Sequence, residues 1–88
     1  MAHLNTHYMT ICIEAYGAIE RQLPKNYSVH SQANCSIGEV LEILIEHFPL
    51  TAPALERCAC AIGDSIVSRD FVLQSDSTLV LLPPVAGG

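Results

Sequence analysis

The sequence predicts a two-layer α+β domain in which one helix packs across a mixed sheet. Three observations support this fold class: a stretch that alternates apolar and polar residues, a segment with apolar residues at helical spacing, and an uninterrupted apolar run near the end of the chain. The predicted order of elements is β-β-α-β-β-β. With 88 residues, the chain has room for one domain.

The first strand is predicted from strict alternation over residues 9–15. Period two with β-branched residues is typical of a half-buried strand. A turn region around Gly17 follows, and Tyr27 and Val29 indicate a second short strand that pairs with the first. The apolar face of the first strand would carry Met9, Ile11, Ile13 and Ala15.

The helix is predicted over Ile37–Phe48, where apolar residues recur at the spacing of one helical face. Ser36 precedes it as an N-cap, and Glu39 completes a capping box. Pro49 ends the segment because proline cannot continue a helix. The apolar face comprises Ile37, Val40, Leu41, Leu44, Ile45 and Phe48.

The remaining strands come from the second half of the chain. Ala54 to Arg57 is predicted to form a helical turn, and Gly63-Asp64 suits a type II′ hairpin between Cys58–Ile62 and Ile66-Val67. The run 79–82 has no polar alternation, so we expect a strand near the sheet centre that is covered on both faces.

Composition excludes several classes of function. The net charge is −5, and the four basic residues are scattered, which argues against a nucleic-acid-binding surface. No apolar run approaches the roughly 20 residues that cross a membrane. The start of the sequence shows no basic-then-apolar signal peptide, so we expect a cytoplasmic protein with reduced cysteines that act as small buried apolar residues.

The last six residues are the candidate functional segment. Pro83-Pro84 should leave the sheet as a stiff extended stem, because proline fixes φ and also restricts the residue before it. After the prolines the side chains shrink from Val85 and Ala86 to Gly87-Gly88, a taper that fits a narrow channel in another protein. Activation of the terminal carboxylate as an acyl-adenylate would make an unhindered electrophile that sulfide or persulfide can convert to a thiocarboxylate.

The segment Leu81 to Gly88 resembles the C-terminal signature of the MoaD group of ubiquitin-like sulfur carriers, the small subunits of molybdopterin synthase. Weaker similarity extends over Ala15 to Arg21 and Ile62 to Val67, so that the resemblance covers most of the chain from about Tyr8 onward. It implies a β-grasp fold, which agrees with the predicted order of elements. The implied organisation is a flexible N-terminus at 1–7, a β-grasp domain at 8–82 and an extended tail at 83–88.

The resemblance also implies a route for sulfur. A ubiquitin-activating-type (MoeB-like) enzyme would use ATP to adenylate Gly88, and a sulfurtransferase would supply the sulfur for the thiocarboxylate. The large synthase subunit (MoaE-like) would then receive the tail, and Gly88 would donate sulfur to a cyclic pyranopterin. On its own the chain would be no enzyme and would bind no cofactor or metal. The implied catalytic residues are Gly88 and Gly87, and the implied partner-binding residues are Leu82, Pro83, Pro84, Val85 and Ala86.

Alternatives remain open at this point. The chain could be a carrier for thiamine, cysteine or tRNA thiolation, a ubiquitin-like protein modifier, or a β-grasp interaction module whose tail has no chemistry. Among other candidate sites, Cys58-x-Cys60 has too few ligands for zinc, which normally takes four. His3 and His7 are expected to lie in a frayed N-terminus, and His30 and His47 have no Ser or Cys at a spacing that suggests a triad. Glu14 and Glu20 are expected at the solvated surface.

Overall fold

The computed structural model describes residues 8–84. In chain order the strands are β1 (Tyr8–Ala15), β2 (Ser28–Gln32), β3 (Cys35–Ser36), β4 (Ala59–Ile62), β5 (Ser65–Val67), β6 (Val72–Leu73) and β7 (Ser77–Leu82). The helices are α1 (Ala18–Gln22), α2 (Ile37–His47) and α3 (Ala52–Arg57), and a 3-10 turn at Pro49–Thr51 joins α2 to α3.

Five strands form one mixed sheet in the order β2-β1-β7-β4-β5. The central pair, β1 and β7, is parallel, and the other neighbours are antiparallel. Strands β3 and β6 form a small separate ladder. The mixed sheet and the predicted central position of the last strand are therefore confirmed.

The core lies between this sheet and α2. Alternation along β1 buries Met9, Ile11 and Ile13, whereas Thr10, Cys12 and Glu14 lie on the opposite face. Helix α2 contributes the apolar face predicted from its spacing. The fully buried side chains with the largest volumes are Ile11, Ile19, Ile37, Leu44, Leu55, Leu79, Leu81, Val40, Thr51 and Cys60.

Helix α2 begins at the predicted capping box. The Ser36 hydroxyl accepts the Glu39 N–H at 3.2 Å, and the Glu39 carboxylate accepts the Ser36 N–H at 2.9 Å. The helix ends at His47, one residue before the predicted end, and the Phe48 N–H still donates to the Leu44 carbonyl at 2.7 Å.

The structure differs from the sequence-based expectation at Gly17 and in strand β7, and it also contains the β3-β6 ladder, which was not predicted. The region predicted as a turn at Gly17 contains the short helix α1, in which only Ile19 is buried, so that its apolar pattern is too brief to show periodicity. Strand β7 is not covered on both faces: Leu79 and Leu81 are buried against the core, but Val80 and Leu82 are only half-buried. The N-terminal segment predicted to be flexible, 1–7, lies outside the described residues.

Gly63 and Asp64 form the predicted two-residue hairpin loop between β4 and β5, because Ile62 pairs directly with Ser65. Gly63 has φ of +61°, and no positive φ occurs at Asp64, as a type II′ turn requires. None of the helices in the described range is long and apolar enough to cross a membrane.

The Leu44→Ala variant should lose roughly 2–5 kcal/mol of unfolding free energy, because it leaves a cavity at a fully buried position. Urea denaturation measures this loss. Glu42→Ala, at an exposed position of the same helix, is the matched control and should change stability by less than about 0.5 kcal/mol. Equal losses in the two variants would contradict the assignment of Leu44 to the core.

The capping box predicts an acid-dependent contribution to stability. Hydrogen bonds from the backbone and side chain of Ser36 lower the pKa of Glu39 below its ordinary value. The contribution is therefore present above the unfolded pKa of about 4.3 and is lost as the pH falls through the folded pKa. Denaturation of wild type and Glu39→Ala should show a difference at pH 7 that shrinks at pH 2; a difference independent of pH would contradict the ionic cap.

Candidate functional site

The base of the C-terminal segment is the end of strand β7. Ala15 of β1 lies opposite Leu81 of β7, and the Tyr16 N–H donates to the Leu81 carbonyl at 3.2 Å. The Leu81 side chain is fully buried. The chain is thus anchored in the core one residue before Leu82.

The first proline of the stem, Pro83, packs against a glycine, Gly17. Gly17 has φ of +69° and ψ of −140°, a conformation that other residues rarely adopt. A Cβ at this position would lie 3.1 Å from Cγ and 3.3 Å from Cβ of Pro83. Because Gly17 has no side chain, Pro83 can lie directly against the turn between β1 and α1, and this contact fixes the direction in which the stem begins.

The described part of the predicted site is accessible. Leu82 is half-buried, and Pro83 and Pro84 are exposed. The other residues assigned to the site, Val85 and Ala86 with Gly87 and Gly88, lie outside the described residues. Their assigned roles therefore remain predictions.

The sheet face opposite α2, here called the outer face, carries apolar side chains next to the stem. Val80 of β7 lies beside Ala61 of β4, which in turn lies opposite Ile66 of β5. One step along the sheet, Leu82 lies opposite Ala59. The Ile66 side chain is 66% exposed and extends the apolar surface that Val80 and Leu82 begin.

A tyrosine and a carboxylate border this surface. The Tyr16 hydroxyl donates to the Glu14 carboxylate, and Glu14 lies opposite Val80 in the parallel ladder. The hydrogen bond and the charge of Glu14 raise the pKa of Tyr16. The phenol therefore stays protonated as a donor, and the pair places one negative charge beside the apolar surface.

The sequence-based prediction of partner-binding residues did not include Tyr16, Val80 or Ile66. The sequence did contain a signal for Val80. The run 79–82 has no polar residue, so apolar side chains must lie on both faces of this strand. Ile66 carried no such signal. Its exposure follows from its position on the edge strand β5, where its side chain lies on the outer face of the sheet.

The cysteines do not form a second site in the described part of the chain. Cys58 and Cys60 are buried, but Cys12 is exposed and Cys35 is half-buried, so the expectation of buried cysteines is wrong for Cys12. The hydrogen bond with Cys60 and burial raise the pKa of the Cys58 thiol, and the Arg69 guanidinium offsets them only in part. Both thiols are buried, so neither is accessible as a nucleophile.

Arg69 has a structural role beside these thiols. Its guanidinium donates to the Leu55 carbonyl at 2.7 Å and to the Cys58 carbonyl at 3.0 Å, which satisfies acceptors at the end of α3.

The histidine and carboxylate candidates are dispersed. His30 contacts the Thr10 hydroxyl at 3.2 Å on the outer face, and His47 contacts the Ile43 carbonyl at 2.9 Å at the end of α2. Glu14 and Glu20 are exposed. Over residues 8–84, no three His, Cys, Asp or Glu side chains come close enough together to hold a metal ion. His3 and His7 lie outside the described residues.

Comparison with protein-family models matches residues 16–88 to the ThiS family. This chain belongs to the ThiS family. The match covers most of the chain and includes the base of the stem and the diglycine. No significant match was found among curated proteins.

Solved structures agree with this assignment. Small archaeal modifier protein 1 from Haloferax volcanii superposes with a TM-score of 0.75 at 13% identity, over 88% of this chain and 99% of that one. A protein assigned as subunit 1 of molybdopterin converting factor from Pyrococcus furiosus gives 0.76 at 10% identity, over 88% and 99%. A chain from the complex of subunits 1 and 2 of molybdopterin-converting factor from Helicobacter pylori gives 0.59 at 26% identity, over 91% and 100%.

The family and the fold together identify a MoaD-like sulfur carrier with the ubiquitin-like β-grasp fold. The resemblance drawn from the tail and from the two weaker segments is therefore confirmed. The family match leaves open which pathway receives the sulfur.

Gly17→Ala should destabilise the domain for two reasons. A side chain in this sparsely populated backbone conformation costs about 1–3 kcal/mol, and its Cβ would in addition press on Pro83. Gly63→Ala is the matched control, because Gly63 also has a positive φ but no atom lies within 4 Å of its added Cβ. Urea denaturation should show a larger loss for Gly17→Ala than for Gly63→Ala.

A double-mutant cycle isolates the contact with the stem. In a Pro83→Ala background, which removes the ring atom nearest to the added Cβ, the cost of Gly17→Ala should decrease. An unchanged cost would show that Pro83 does not rest on this turn.

Proposed function

We propose that this chain is the sulfur-carrying small subunit of a molybdopterin synthase and that the carboxylate of Gly88 is its reactive group. The observation that carries the proposal is the contrast at the end of β7. Leu81 is fully buried and hydrogen-bonded to Tyr16, whereas Pro83 and Pro84 are exposed. The stem therefore leaves a rigid domain at a fixed point, as a segment that must enter a partner requires.

The prolines give the stem its reach and stiffness. Proline fixes φ near the polyproline value and offers no N–H to a neighbouring strand, so that the stem neither extends the sheet nor adds an aggregation-prone edge. A stiff segment also loses less conformational entropy than a flexible one when a partner binds it. Gly87-Gly88 then bring no side chain to the narrowest part of a partner's channel.

The proposed reaction proceeds in two steps on the Gly88 carboxylate. In the first, the carboxylate attacks the α-phosphorus of ATP in a MoeB-like adenylating enzyme, which releases pyrophosphate and leaves an acyl-adenylate. In the second, a sulfur nucleophile supplied by a sulfurtransferase attacks the carbonyl carbon and displaces AMP. If that nucleophile is a persulfide, a thiol must then reduce the acyl disulfide to the thiocarboxylate. Gly88 has no Cβ to obstruct either attack.

The outer face is the proposed docking surface for these partners. Val80, Leu82 and Ile66 offer apolar area beside the stem, and the Glu14 carboxylate offers a charge that a basic partner residue can pair with. The same surface would serve the adenylating enzyme and a MoaE-like large subunit in turn. The Helicobacter pylori relative, which forms a complex of subunits 1 and 2 of molybdopterin-converting factor, supports a two-subunit assembly.

In the large subunit, the thiocarboxylate would donate its sulfur to a cyclic pyranopterin. The chain would supply the sulfur atom and the anchored tail, and the large subunit would supply the substrate pocket. ATP is consumed by the adenylating partner, so the proposal assigns no resident cofactor to this chain. It places the chain in the cytoplasm, where ATP and reduced sulfur occur together.

Intact-mass spectrometry of the chain, produced together with its adenylating enzyme and sulfurtransferase, tests the carrier chemistry. We expect a species whose mass reflects exchange of one oxygen for sulfur. Deletion of Gly88 should abolish this species and leave the melting temperature unchanged, because the last strand ends at Leu82. An unmodified terminus in the wild-type chain would contradict the carrier mechanism, and a fall in melting temperature on deletion would mean that the tail is structural.

Reconstitution then tests the pathway. The thiocarboxylated chain, mixed with the large subunit and cyclic pyranopterin, should yield the dithiolene product and return to the carboxylate form. Sulfur transfer only to a thiamine, cysteine or tRNA pathway would show that the assignment to molybdopterin is wrong, although the carrier chemistry would stand. Formation of isopeptide bonds through Gly88 would instead identify a protein modifier.

A further inference from the structure

The groove between strand β2 and helix α2 forms a second surface, away from the stem. Its volume is about 500 Å³, and it lies beside β2, at the edge of the sheet. One strand, β1, lies between β2 and β7, the strand that leads into the stem. Its lining includes His30, Cys35, Glu39, Glu42, Ile43 and Glu46.

The backbone of β2 offers hydrogen bonds at this edge. The Ile13 N–H donates to the Tyr27 carbonyl at 2.9 Å, which fixes the phase of the antiparallel ladder between β1 and β2. In this phase Val29 and Ser31 turn their N–H and C=O groups toward β1, and His30 turns both groups outward. The next outward positions are Ser28 and Gln32. An outward row of this kind is a template for one more strand.

The helix side of the groove is acidic. Glu39, Glu42 and Glu46 follow one another at spacings of three and four residues, so they lie along one side of α2. All three are exposed. The floor of the groove is less polar, since Ile43 and Cys35 are half-buried against the core.

We propose that this groove binds an extended basic segment of a partner protein, which adds to the sheet as a strand next to β2. The main chain of the segment would pair with the outward groups of His30 and its neighbours. Alternate side chains of an added strand point to the same face, so one set would lie over Ile43 and the α2 carboxylates. Lysine or arginine suits these positions, because the long stems cover apolar surface while the charged ends reach Glu42 and Glu46.

The proposal goes beyond the carrier function and does not depend on it. The groove residues are separate from the outer-face residues Val80, Leu82 and Ile66 and from the stem. A basic segment could therefore remain bound while the tail is inside another protein, which would hold the carrier within a larger assembly between its reactions.

Titration of the full-length chain, labelled with ¹⁵N, by a synthetic heptapeptide of alternating Lys and Val tests the proposal. We expect shift changes confined to β2 and α2, together with slowed hydrogen exchange at the His30 amide, which otherwise faces solvent. A heptapeptide of alternating Glu and Val is the control ligand and should not bind. Shift changes centred on another surface, or an absence of binding at millimolar peptide, would overturn the proposal.

Two double variants test whether the carboxylates of α2 contribute to peptide binding. Glu42→Gln with Glu46→Gln should weaken binding roughly fivefold to tenfold at low salt. Glu20→Gln with Glu56→Gln removes the same charge from exposed sites elsewhere and should leave the affinity nearly unchanged. An equal loss in both double variants would mean nonspecific attraction and would overturn the proposal.

His30→Pro removes the outward N–H without removing a donor to β1, and His30→Ala is its control, because alanine keeps the N–H. Binding should be lost in the proline variant and retained in the alanine variant, with ¹⁵N spectra confirming that both variants are folded. Full binding by a folded proline variant would show that no strand is added. Protection of the His30 amide that grows with protein concentration in the absence of peptide would show that a second copy of the chain occupies the edge, and this would also overturn the proposal.

Discussion

Parallel pairing between the first and last strands is the constraint on which the rest of the structure depends. Strand β1 lies beside β7, and two hydrogen bonds help to fix the register of this pair. The Thr10 N–H in β1 donates to the Asp76 carboxylate at 2.8 Å. The Tyr16 N–H, just after β1, donates to the Leu81 carbonyl at 3.2 Å. Because Leu79 and Leu81 are fully buried, a slip by one residue would turn both to the outer face. The core thus determines where the chain leaves the domain.

The point at which the chain leaves the sheet, the end of β7, explains how a small domain can hold its own C-terminal segment in a fixed direction. A parallel pair brings the end of β7 to the same edge of the sheet as the end of β1, where Gly17 leaves room for Pro83. The stem then begins between the apolar outer face and the turn. A partner that covers Ile66 and Val80 therefore meets the stem in a fixed position, and this arrangement limits the conformational entropy that must be lost when the tail is bound.

Local patterns in the sequence were sufficient where one physical signal dominated. Alternation predicted the buried face of β1, the capping box predicted the start of α2, and Gly63 predicted the hairpin loop. Helix α1 was missed because a five-residue helix with one buried side chain, Ile19, has no measurable period.

The candidate site was predictable only in part. The prolines and the diglycine are written in the sequence, but the contact between Gly17 and Pro83 joins positions far apart in the chain and needs the sheet register to be seen. The exposure of Ile66 likewise depends on which strand lies at the edge, which no local pattern determines. The apolar run of β7 was misread as fully covered because hydrophobicity alone does not distinguish a buried face from one reserved for a partner.

The domain separates its surfaces by chemistry. The outer face is apolar beside the stem, and the groove at β2 is acidic and offers main-chain hydrogen bonds. The opposite side of the sheet is occupied by α2 and the core. Carrier chemistry and attachment to a larger assembly therefore need not compete for one surface.

Exchange of labelled pyrophosphate into ATP, catalysed by the adenylating enzyme, tests the central claim most directly, because it reports reversible formation of the acyl-adenylate. The account predicts exchange that requires this chain and is absent when the chain lacks Gly88. Exchange that proceeds equally well without Gly88, or no exchange with the intact chain, would contradict the claim that its terminal carboxylate is the reactive group.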